Sequence, residues 1–582
     1  MTRLFDNPSR FSDDALEGFL DVYSHLVVGV PGGVVRAETQ PVGKVAVVIG
    51  GGSGHYPAFC GIVGRGLADG AVVGNVFTSP STDDVLSVVH AAQVGGGVLF
   101  SYGNYAGDVM NFGLAEARLR ERGVDVRTVL VTDDIASAPR GDEGRRRGIA
   151  GDFAVFKIAG AVAEAGYDLT AVERVARHAN DRTRTLGVAF DGCTLPGEHT
   201  PLFSVPSGRM AVGLGIHGEP GISEEELPTA AKLAEMLVAG VLAERPTAHA
   251  GRVAVILNGL GSTKYEELFI VWRTVSALLA DSGMTIIEPE VGELVTSLDM
   301  AGCSLTIVFL DDELERFWTA PALTPAFRRG SPLGGVPGAS SSRRIVVEDS
   351  SAAPTVESGT PESREYAVIA LLCLERISSA IGDAESELGR LDAIAGDGDH
   401  GRGMVRGVSA AVTAARTAVD KGAGVGTTLS AAGDAWAARA GGTSGVLWGA
   451  MLLAFGGVLG DADRVTPLAV SAAFDAAAAA VRDLGKAEPG DKTMLDALLP
   501  FVNVFSMSVA NGEDTASAWR AAAVHAEEAA VATAALSPKR GRARPLAERS
   551  IGHRDPGAVS MALALRVAGQ VLDNRDKEVR SD

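Results

Sequence analysis

Three aspartates lie close together in the segment Asp392-Ala-Ile-Ala-Gly396-Asp397-Gly-Asp399. Carboxylates at this spacing repel one another unless a cation lies among them, and hard oxygen ligands suit Mg²⁺ or Ca²⁺. Because the segment does not match the calcium loop of an EF-hand, we favour magnesium over calcium. All three can converge on one ion only if the helix breaks near Gly396. A solvated acidic turn is the alternative that the spacing leaves open.

Two glycine-rich segments could hold an anionic or small polar ligand. The residues 441–445, Gly-Gly-Thr-Ser-Gly, precede an uncharged helical segment, and amides and hydroxyls at a helix N-terminus bind anions. Glycines that close a helix contact, with Thr443 as the N-cap, are the alternative. The residues 50–55, Gly-Gly-Gly-Ser-Gly-His, follow an apolar run and are a similar candidate for a small or phosphorylated ligand.

Two further residues could move protons. His217 lies in Gly-Ile-His-Gly-Glu-Pro-Gly, and Asp108 ends the segment Gly-Asn-Tyr-Ala-Gly-Asp. An imidazole between glycines can approach a ligand, and a carboxylate can accept a hydroxyl proton. The residues alone do not decide between catalysis and a structural histidine, or between a base and a helix cap.

Other nucleotide-binding patterns fail in this chain. The G-x-G-x-x-G match at 213–218 runs into Glu-Pro-Gly, which would break the helix it requires, and the match at 396–401 carries aspartates that repel a pyrophosphate. The segment 485–493 resembles a P-loop but has one residue too many before its lysine and no preceding strand. A Rossmann oxidoreductase is therefore the weaker interpretation.

The elements that must position these residues change character along the chain. Over residues 1–330, short β-branched runs end in glycine-rich turns and alternate with helical patterns, which predicts an α/β domain of two subdomains with a substantially parallel sheet. Ligands of such sheets bind beyond the carboxyl ends of the strands. The runs are 44–52, 97–104, 126–134, 251–261 and 305–313.

Residues 331–363 contain 16 Ser, Gly or Pro in 33 positions, which predicts a flexible linker. Residues 364–576 are rich in alanine and leucine at helical spacing, with hardly any strand signal, and predict an all-α domain whose turns carry the chemistry. The clearest helical stretches are 365–390, 428–440, 466–484 and 515–535.

Composition limits the classes of function. The chain has 582 residues and a formal net charge of −20, so nucleic acid is an unfavourable partner. Four scattered cysteines and the lack of an N-terminal apolar region predict a reducing, cytoplasmic location. Residues 440–460 carry no charge, but seven of these 21 residues are glycine, so we interpret them as a loop entering a buried helix rather than a membrane span.

Taken in chain order, these segments resemble the dihydroxyacetone kinase family in its single-chain, ATP-using form. GGGSGHYPAF, GNYAGDVMNF and GIHGEPG are similar to the family's substrate domain. LDAIAGDGDHG, GGTSG, GDKTMLDAL and ERSIGHRDPGA are similar to its nucleotide domain. The resemblance covers nearly the whole chain, and it assigns 1–330 to ketose binding and 364–576 to ATP and magnesium.

The resemblance implies a covalent acceptor complex. His217 would form a hemiaminal with the ketone carbonyl, which admits ketoses and excludes glycerol because glycerol has no carbonyl carbon. Asp108 would take the proton from the terminal hydroxyl, while His55 would hydrogen-bond and polarise the substrate. Gly52 and Ser53 would support the sugar or its phosphate.

The resemblance also implies an eight-helix barrel that binds ATP through two Mg²⁺ ions on Asp392, Asp397 and Asp399. Metal between carboxylates and phosphates allows an acidic protein to hold ATP. The remaining residues implied to lie at the phosphates or near the nucleotide are Gly442, Thr443, Ser444, Asp491, Asp555, Pro556 and Gly557.

Three residues depart from the usual family form. Tyr56, Phe59 and Gly103 stand where a glutamate, a histidine and a lysine are usual, and we expect them beside the sugar pocket. They predict a shifted acceptor, D- or L-erythrulose, with dihydroxyacetone as the close alternative. The resemblance further implies a homodimer with possible domain-swapped active sites. A ketose sensor without turnover and a flavin-nucleotide cyclase activity remain alternative functions.

Overall fold

The computed structural model describes residues 2–330, 358–396, 398–462, 464–539 and 547–581. By its internal contacts the chain divides into two compact units, Met1–Val346 and Val347–Asp582. Most of the predicted linker, residues 331–357, lies outside the described residues. Its last three residues, 361–363, begin the first helix of the second unit.

A six-stranded sheet forms the first half of the first unit. Its order is β1-β2-β4-β3-β5-β6, with β4, β3, β5 and β6 parallel and β1 and β2 antiparallel at one edge. The central strands are buried on both faces, as their continuous apolar runs predict. The strands are β1 (Val27–Val30), β2 (Gly33–Arg36), β3 (Ala46–Ser53), β4 (Gly70–Val76), β5 (Val98–Gly103) and β6 (Val126–Val131).

A second sheet has the order β11-β10-β13-β7-β8-β9, with β12 beside β10. It is mainly antiparallel, since β13 runs against both of its neighbours. The α/β fold class is confirmed. The sequence did not predict the mixture of parallel and antiparallel strands, because a buried apolar run has the same composition whichever way the strand runs relative to its neighbours. The strands are β7 (Thr183–Ala189), β8 (Arg209–Val212), β9 (Ser223–Glu226), β10 (Arg252–Gly259), β11 (Thr285–Ile286), β12 (Glu290–Gly292) and β13 (Gly302–Leu310); β14 (Ala322–Leu323) and β15 (Arg328–Arg329) form a separate pair.

Eight helices accompany the sheets in the described part of the first unit. One of them, α4, is buried along nearly its whole length and contacts strands of both sheets, so it joins their cores. The helices are α1 (Phe11–Tyr23), α2 (Thr82–Ala92), α3 (Ala106–Glu121), α4 (Gly151–Glu164), α5 (Leu169–Asp181), α6 (Ala230–Ala243), α7 (Tyr265–Asp281) and α8 (Asp312–Trp318).

The second unit is all-helical over its described residues, which confirms the prediction. Each long helix packs against the next, and the last packs against the first, so eight long helices close a ring. They are α9 (Pro361–Asp392), α10 (His400–Asp420), α11 (Val425–Ala440), α12 (Gly442–Leu459), α13 (Pro467–Gly485), α14 (Leu495–Ala510), α15 (Thr515–Ala532) and α17 (Pro556–Ser581), with the single turn α16 (Ala547–Ser550) before the last.

The helices of the ring line an apolar cavity of about 490 Å³. Among the described helices, α12 alone has the length and mean hydropathy of a membrane span. This helix packs between α11 and α13, and Met451, Leu452 and Phe455 line the cavity. Its apolar composition is therefore explained by packing within the ring.

Candidate active site

The candidate sugar-binding residues of the first unit come from loops at the carboxyl ends of strands. His55 follows β3, Gly103 ends β5, and Asp108 lies in the first turn of α3. His217 lies on the loop that follows β8, a strand of the second sheet. The fold brings this loop to the first sheet, because His217 contacts His55 directly.

The two imidazoles face each other through their Nε2 atoms, which lie 3.0 Å apart. The Nδ1 atom of His55 is 2.7 Å from the carbonyl oxygen of Thr296. Because a carbonyl can only accept, Nδ1 carries the hydrogen, and the Nε2 of neutral His55 presents a lone pair to His217. Burial, followed by the charge of His217, lowers the pKa of His55 to about 3. His55 is therefore a neutral acceptor near pH 7.

A carboxylate holds the other side of His217. The Nδ1 atom of His217 is 3.0 Å from Oε1 of Glu219, and its backbone N–H donates to Oε2 over 3.0 Å. Burial acts to raise the pKa of Glu219, but His217 and Arg147 outweigh it and hold that pKa well below its usual range. Glu219 is therefore an anion beside the imidazole.

Arg147 and Asp134 support this carboxylate. Arg147 Nη1 lies 3.7 Å from Glu219 Oε2, and the same guanidinium donates to Asp134 Oδ2 from Nη2 and Nε over 2.8 and 3.0 Å. A Cβ at Gly215 would lie 2.1 Å from Glu219 Oε2, so only glycine allows this approach. The sequence analysis did not single out Arg147 or Asp134. It noted Glu219 only as part of the Glu-Pro-Gly segment that would break a helix.

Two aromatic rings enclose the histidines. Phe77 stacks on His55 at 5.0 Å between centroids and meets His217 edge-on at 5.1 Å. Tyr105 meets His217 edge-on at 4.9 Å and donates its hydroxyl to the carbonyl of Gly148 over 3.0 Å. These rings restrict the imidazoles and limit water around them. Neither ring was predicted, although Tyr105 lies within the GNYAGDVMNF segment.

A buried carboxyl lies beside the end of β5. Asp152, in the first turn of α4, is 3% exposed, and its Oδ1 has no hydrogen-bond partner among the described residues. Its Oδ2 lies 3.2 Å from the place that a Cβ at Gly103 would take. Burial raises the pKa of Asp152 well above its usual value, and the charges of Asp133 and Asp108 raise it further. Asp152 was not predicted, because it is distant from Gly103 in sequence.

The other predicted sugar residues lie around β3. Ser53 shares a hydrogen bond with Ser12 of α1, the two hydroxyl oxygens being 2.6 Å apart. A Cβ at Gly52 would lie 2.6 Å from the backbone nitrogen of Thr78, so this glycine allows two chain segments to pack closely.

Phe59 and Tyr56, the two aromatic residues that differ from the usual family form, have different surroundings. Phe59 is buried and meets His55 edge-on at 6.5 Å. The ring of Tyr56 packs against Phe19 of α1 and is 45% exposed. Of this pair, Phe59 is the one with a ring contact to a catalytic candidate.

The nucleotide candidates that the structure describes in the second unit lie at one end of its ring. Neighbouring helices run in opposite directions, so every second turn falls at the same end. The described connecting residues at this end are 393–396, 398–399, 441, 486–494, 533–539 and 551–555, and they contain or adjoin Asp392, Asp399, Gly442, Thr443, Ser444, Asp491, Asp555, Pro556 and Gly557. The up-and-down connection thus gathers residues that are distant in sequence.

Acidic side chains at this end are close enough to influence one another. Helix α9 ends at Asp392, as the required break near Gly396 predicts, while Asp397 lies outside the described residues. Burial raises the pKa of Asp555 to about 7, with the N–H of Ala558 opposing and the charges of Asp392 and Asp496 adding to the rise. Within the described ranges, no three His, Cys, Asp or Glu side chains form a complete metal site. An all-oxygen donor set that is destabilised by its own charge nevertheless fits Mg²⁺.

The neighbouring turns add backbone donors and a lysine. Gly442, Thr443 and Ser444 form the first turn of α12, where N–H groups have no partner within the helix. Asp491 is buried and accepts from the backbone of Glu488 over 3.0 Å. The adjacent Lys492 donates its ammonium to two backbone carbonyls, so it braces this end of the ring.

Comparison with known proteins identifies both units. The Dak1 domain matches residues 17–326 and the DAK2 domain matches residues 394–570. The chain is 61% identical to the D-erythrulose kinase of Mycolicibacterium smegmatis, over 98% of this chain and 99% of that protein. It is 52% identical to the L-erythrulose kinase of Pectobacterium atrosepticum, over 99% of this chain and 97% of that protein.

Solved structures agree with these relatives. The native dihydroxyacetone kinase of C. freundii matches with a TM-score of 0.52 and 32% identity, over 98% of this chain and 99% of that one. The same kinase in complex with AMP-PNP and Mg²⁺ matches with a TM-score of 0.52 and 30% identity, over the same shares.

Replacing His55 by Gln should flatten the acid dependence of stability. Folding keeps His55 neutral down to about pH 3, whereas an unfolded histidine takes up a proton near its ordinary pKa of 6.5. The unfolded state therefore binds more protons between these values, and the free energy of unfolding falls as the pH falls through that window. From pH 7 to pH 5 the wild type should lose about 2 kcal/mol more than His55→Gln.

The measurement is urea unfolding of the full chain at both pH values. His90→Gln, which changes an exposed histidine at the end of α2, is the matched control and should behave as the wild type. Equal losses in wild type and His55→Gln would contradict the buried neutral imidazole.

Proposed function

The chain belongs to the dihydroxyacetone kinase family and is an ATP-dependent kinase, and we propose that it phosphorylates a terminal hydroxyl of a short-chain ketose, with erythrulose preferred over dihydroxyacetone. The observation that carries this proposal is the enclosed pair of imidazoles, His217 and His55. Relatives along nearly the full length are named erythrulose kinases, which supports the acceptor. The 61% identity to a D-erythrulose kinase makes the D isomer the first to test.

We propose that His217 holds the ketose covalently. Its Nε2 atom bonds to the carbonyl carbon, the electron pair of the C=O π bond moves to oxygen, and that oxygen takes a proton delivered through Nε2 of His55, which gives a hemiaminal. Phe77 and Tyr105 restrict the two rings, so the nucleophile meets the carbonyl in one orientation. A polyol without a carbonyl cannot be held in this way.

Asp108 is proposed as the base that takes the proton from the attacking hydroxyl. It is buried in the first turn of α3, three residues after Tyr105, whose ring contacts His217. A carboxylate in such a place can accept a proton at the moment that the hydroxyl oxygen attacks phosphorus.

ATP and magnesium belong to the helical unit. A solved structure of the C. freundii kinase contains AMP-PNP and Mg²⁺, and the carboxylate oxygens gathered at one end of this chain's ring suit that ion. We propose that Asp392, Asp397 and Asp399 hold two Mg²⁺ ions, and that the first turn of α12 contacts the phosphates. When bound, magnesium neutralises charge on the phosphate oxygens.

The end of β5 supports a longer acceptor. Gly103 leaves space where a side chain would otherwise contact Tyr105 and Asp152. Asp152 borders this space from the first turn of α4 with its Oδ2 atom, and its Oδ1 atom, which lies beside Gly148, has no hydrogen-bond partner among the described residues. We propose that Asp152 hydrogen-bonds the hydroxyl that a four-carbon ketose has and dihydroxyacetone lacks.

The central test is release of ADP from Mg-ATP by the purified full chain. Erythrulose and dihydroxyacetone should support ADP release and glycerol should not, because only the ketoses offer a carbonyl to His217. His217→Ala should lower kcat/KM for the ketoses at least about a hundredfold, as expected when a covalent capture step is lost. Glu224→Gln, on exposed strand β9, is a control that should retain full activity.

Absence of ketose-dependent ADP would contradict the acceptor proposed here. Ketose binding by calorimetry without any ADP release would instead favour the sensor alternative.

Replacing Asp152 by Ala should narrow the preference between the two ketoses. Loss of one buried hydrogen bond should lower kcat/KM for erythrulose by about tenfold, while dihydroxyacetone is affected much less. The ratio of the two kcat/KM values, measured on the same preparation, makes dihydroxyacetone the internal control. An equal fall for both ketoses would show that Asp152 acts on the fold of the site and not on the additional hydroxyl.

We also propose that the chain works as a homodimer whose subunits share active sites, an expectation supported by family membership. Light scattering of the purified full chain should give twice the mass of one chain. Mixing His217→Ala chains with Asp392→Ala chains, each inactive alone, should then restore ADP release. A single-chain mass in solution would contradict this proposal.

A further inference from the structure

We propose that Glu219 is the positioning residue that makes His217 a nucleophile and then stabilises the positive charge that hemiaminal formation leaves on its ring. This inference rests on the proposed function, because it concerns the same covalent step. It adds a residue, and the supports behind it, to the chemistry of the two histidines.

Both oxygens of Glu219 act on one residue. Oε1 accepts from Nδ1 of His217, and Oε2 accepts from its backbone N–H, each over 3.0 Å. The carboxylate therefore fixes the ring to its own backbone and prevents rotation. It also keeps the Nδ1 hydrogen in place, so the lone pair that can attack a carbonyl lies on Nε2.

Arg147 and Gly215 allow Glu219 to remain an anion in a fixed position. Arg147 neutralises it from 3.7 Å, but the hydrogen bonds of that guanidinium go to Asp134 and to the carbonyl of Gly213. Glu219 therefore keeps its own hydrogen bonds for His217. Gly215 leaves the space in which carboxylate and guanidinium meet.

The opposite side of His217 supplies a proton. His55 donates its Nδ1 hydrogen to Thr296, and His217 donates its own to Glu219, so two lone pairs would face each other across 3.0 Å. One additional proton between the Nε2 atoms turns this repulsion into a hydrogen bond. The resting pair thus shares one proton and one positive charge, which Glu219 balances.

Capture of the ketone then balances in atoms and charge. The shared proton moves to His55 as Nε2 of His217 bonds to the carbonyl carbon, and the electron pair of the C=O π bond moves to oxygen. That oxygen takes the proton from Nε2 of His55. His55 ends neutral, and the substituted ring of His217 keeps its Nδ1 hydrogen and the positive charge. The anion of Glu219 lies 3.0 Å from that nitrogen throughout.

The test follows the carbonyl carbon itself. Dihydroxyacetone labelled with ¹³C at its carbonyl is mixed with the full chain without nucleotide. NMR then records the ketone signal and the tetrahedral signal of the protein-bound carbon, and a sample without protein gives the signals of the free ketose and its hydrate. The wild type should show the tetrahedral signal. Glu219→Gln, which removes the charge and one acceptor, should lower the bound tetrahedral population about tenfold at the same ketose concentration.

A kinetic readout separates positioning from general damage. Glu219→Gln should raise KM for the ketose about tenfold, while kcat at saturating ketose stays within about threefold, because phosphoryl transfer uses other residues. Glu224→Gln makes the same chemical change on exposed strand β9 and should match the wild type in both measurements.

Gly215→Ala provides a second variant should Glu219→Gln fail to fold. Its Cβ would lie 2.1 Å from Glu219 Oε2, so the carboxylate must move although it is still present. This variant should also lose the tetrahedral signal about tenfold. A wild-type level of signal in whichever variant folds would overturn the inference and leave the proposed function intact. No tetrahedral signal in the wild type would overturn the covalent step, and with it this inference.

Discussion

The substrate unit depends on one electrostatic arrangement, a pair of imidazoles held nitrogen to nitrogen between a carbonyl on one side and a carboxylate on the other. Neither ring can rotate or exchange tautomers without losing a buried hydrogen bond. The two imidazoles therefore have different hydrogen-bond partners although they are chemically identical. Burial lowers the pKa of His55 and keeps this ring neutral, whereas Nδ1 of His217 lies 3.0 Å from a carboxylate oxygen of Glu219.

Building this arrangement requires parts of the chain that are far apart. Thr296 comes from the loop before β13, His55 from the end of β3 and His217 from the loop after β8. The central helix α4 joins the cores of both sheets and so holds these loops in register. Glycines are needed where the loops meet, because a Cβ at Gly215 would occupy the space of the supporting carboxylate.

The sequence predicted the features that depend on residues within a single strand or helix. Continuous apolar runs located β3, β5 and β6, and helical spacing located α9, α11, α13 and α15, because each pattern is decided within one element. Strand direction in the second sheet is decided by partners, so β10 and β13 could be located but not oriented.

The same limit explains which site residues were missed. His55 and His217 stood out by their glycine-rich neighbours, while Arg147 and Asp152 act only through contacts made by folding. Tyr56 lies in a recognisable segment, but its ring packs against α1, and nothing in the segment specifies that direction. The motif thus identified the loop, and the tertiary structure decided which of its side chains face the histidines.

The ring of the second unit has two unequal ends. The residues proposed to bind ATP lie in or beside every second turn, and the intervening described residues, 421–424, 460–462, 464–466 and 511–514, lie at the far end. Evolution is therefore free to lengthen, shorten or decorate those three connections without disturbing the donor site. A fluorescent label or an affinity tag placed at 511–514 would report on the kinase while leaving its phosphate chemistry untouched.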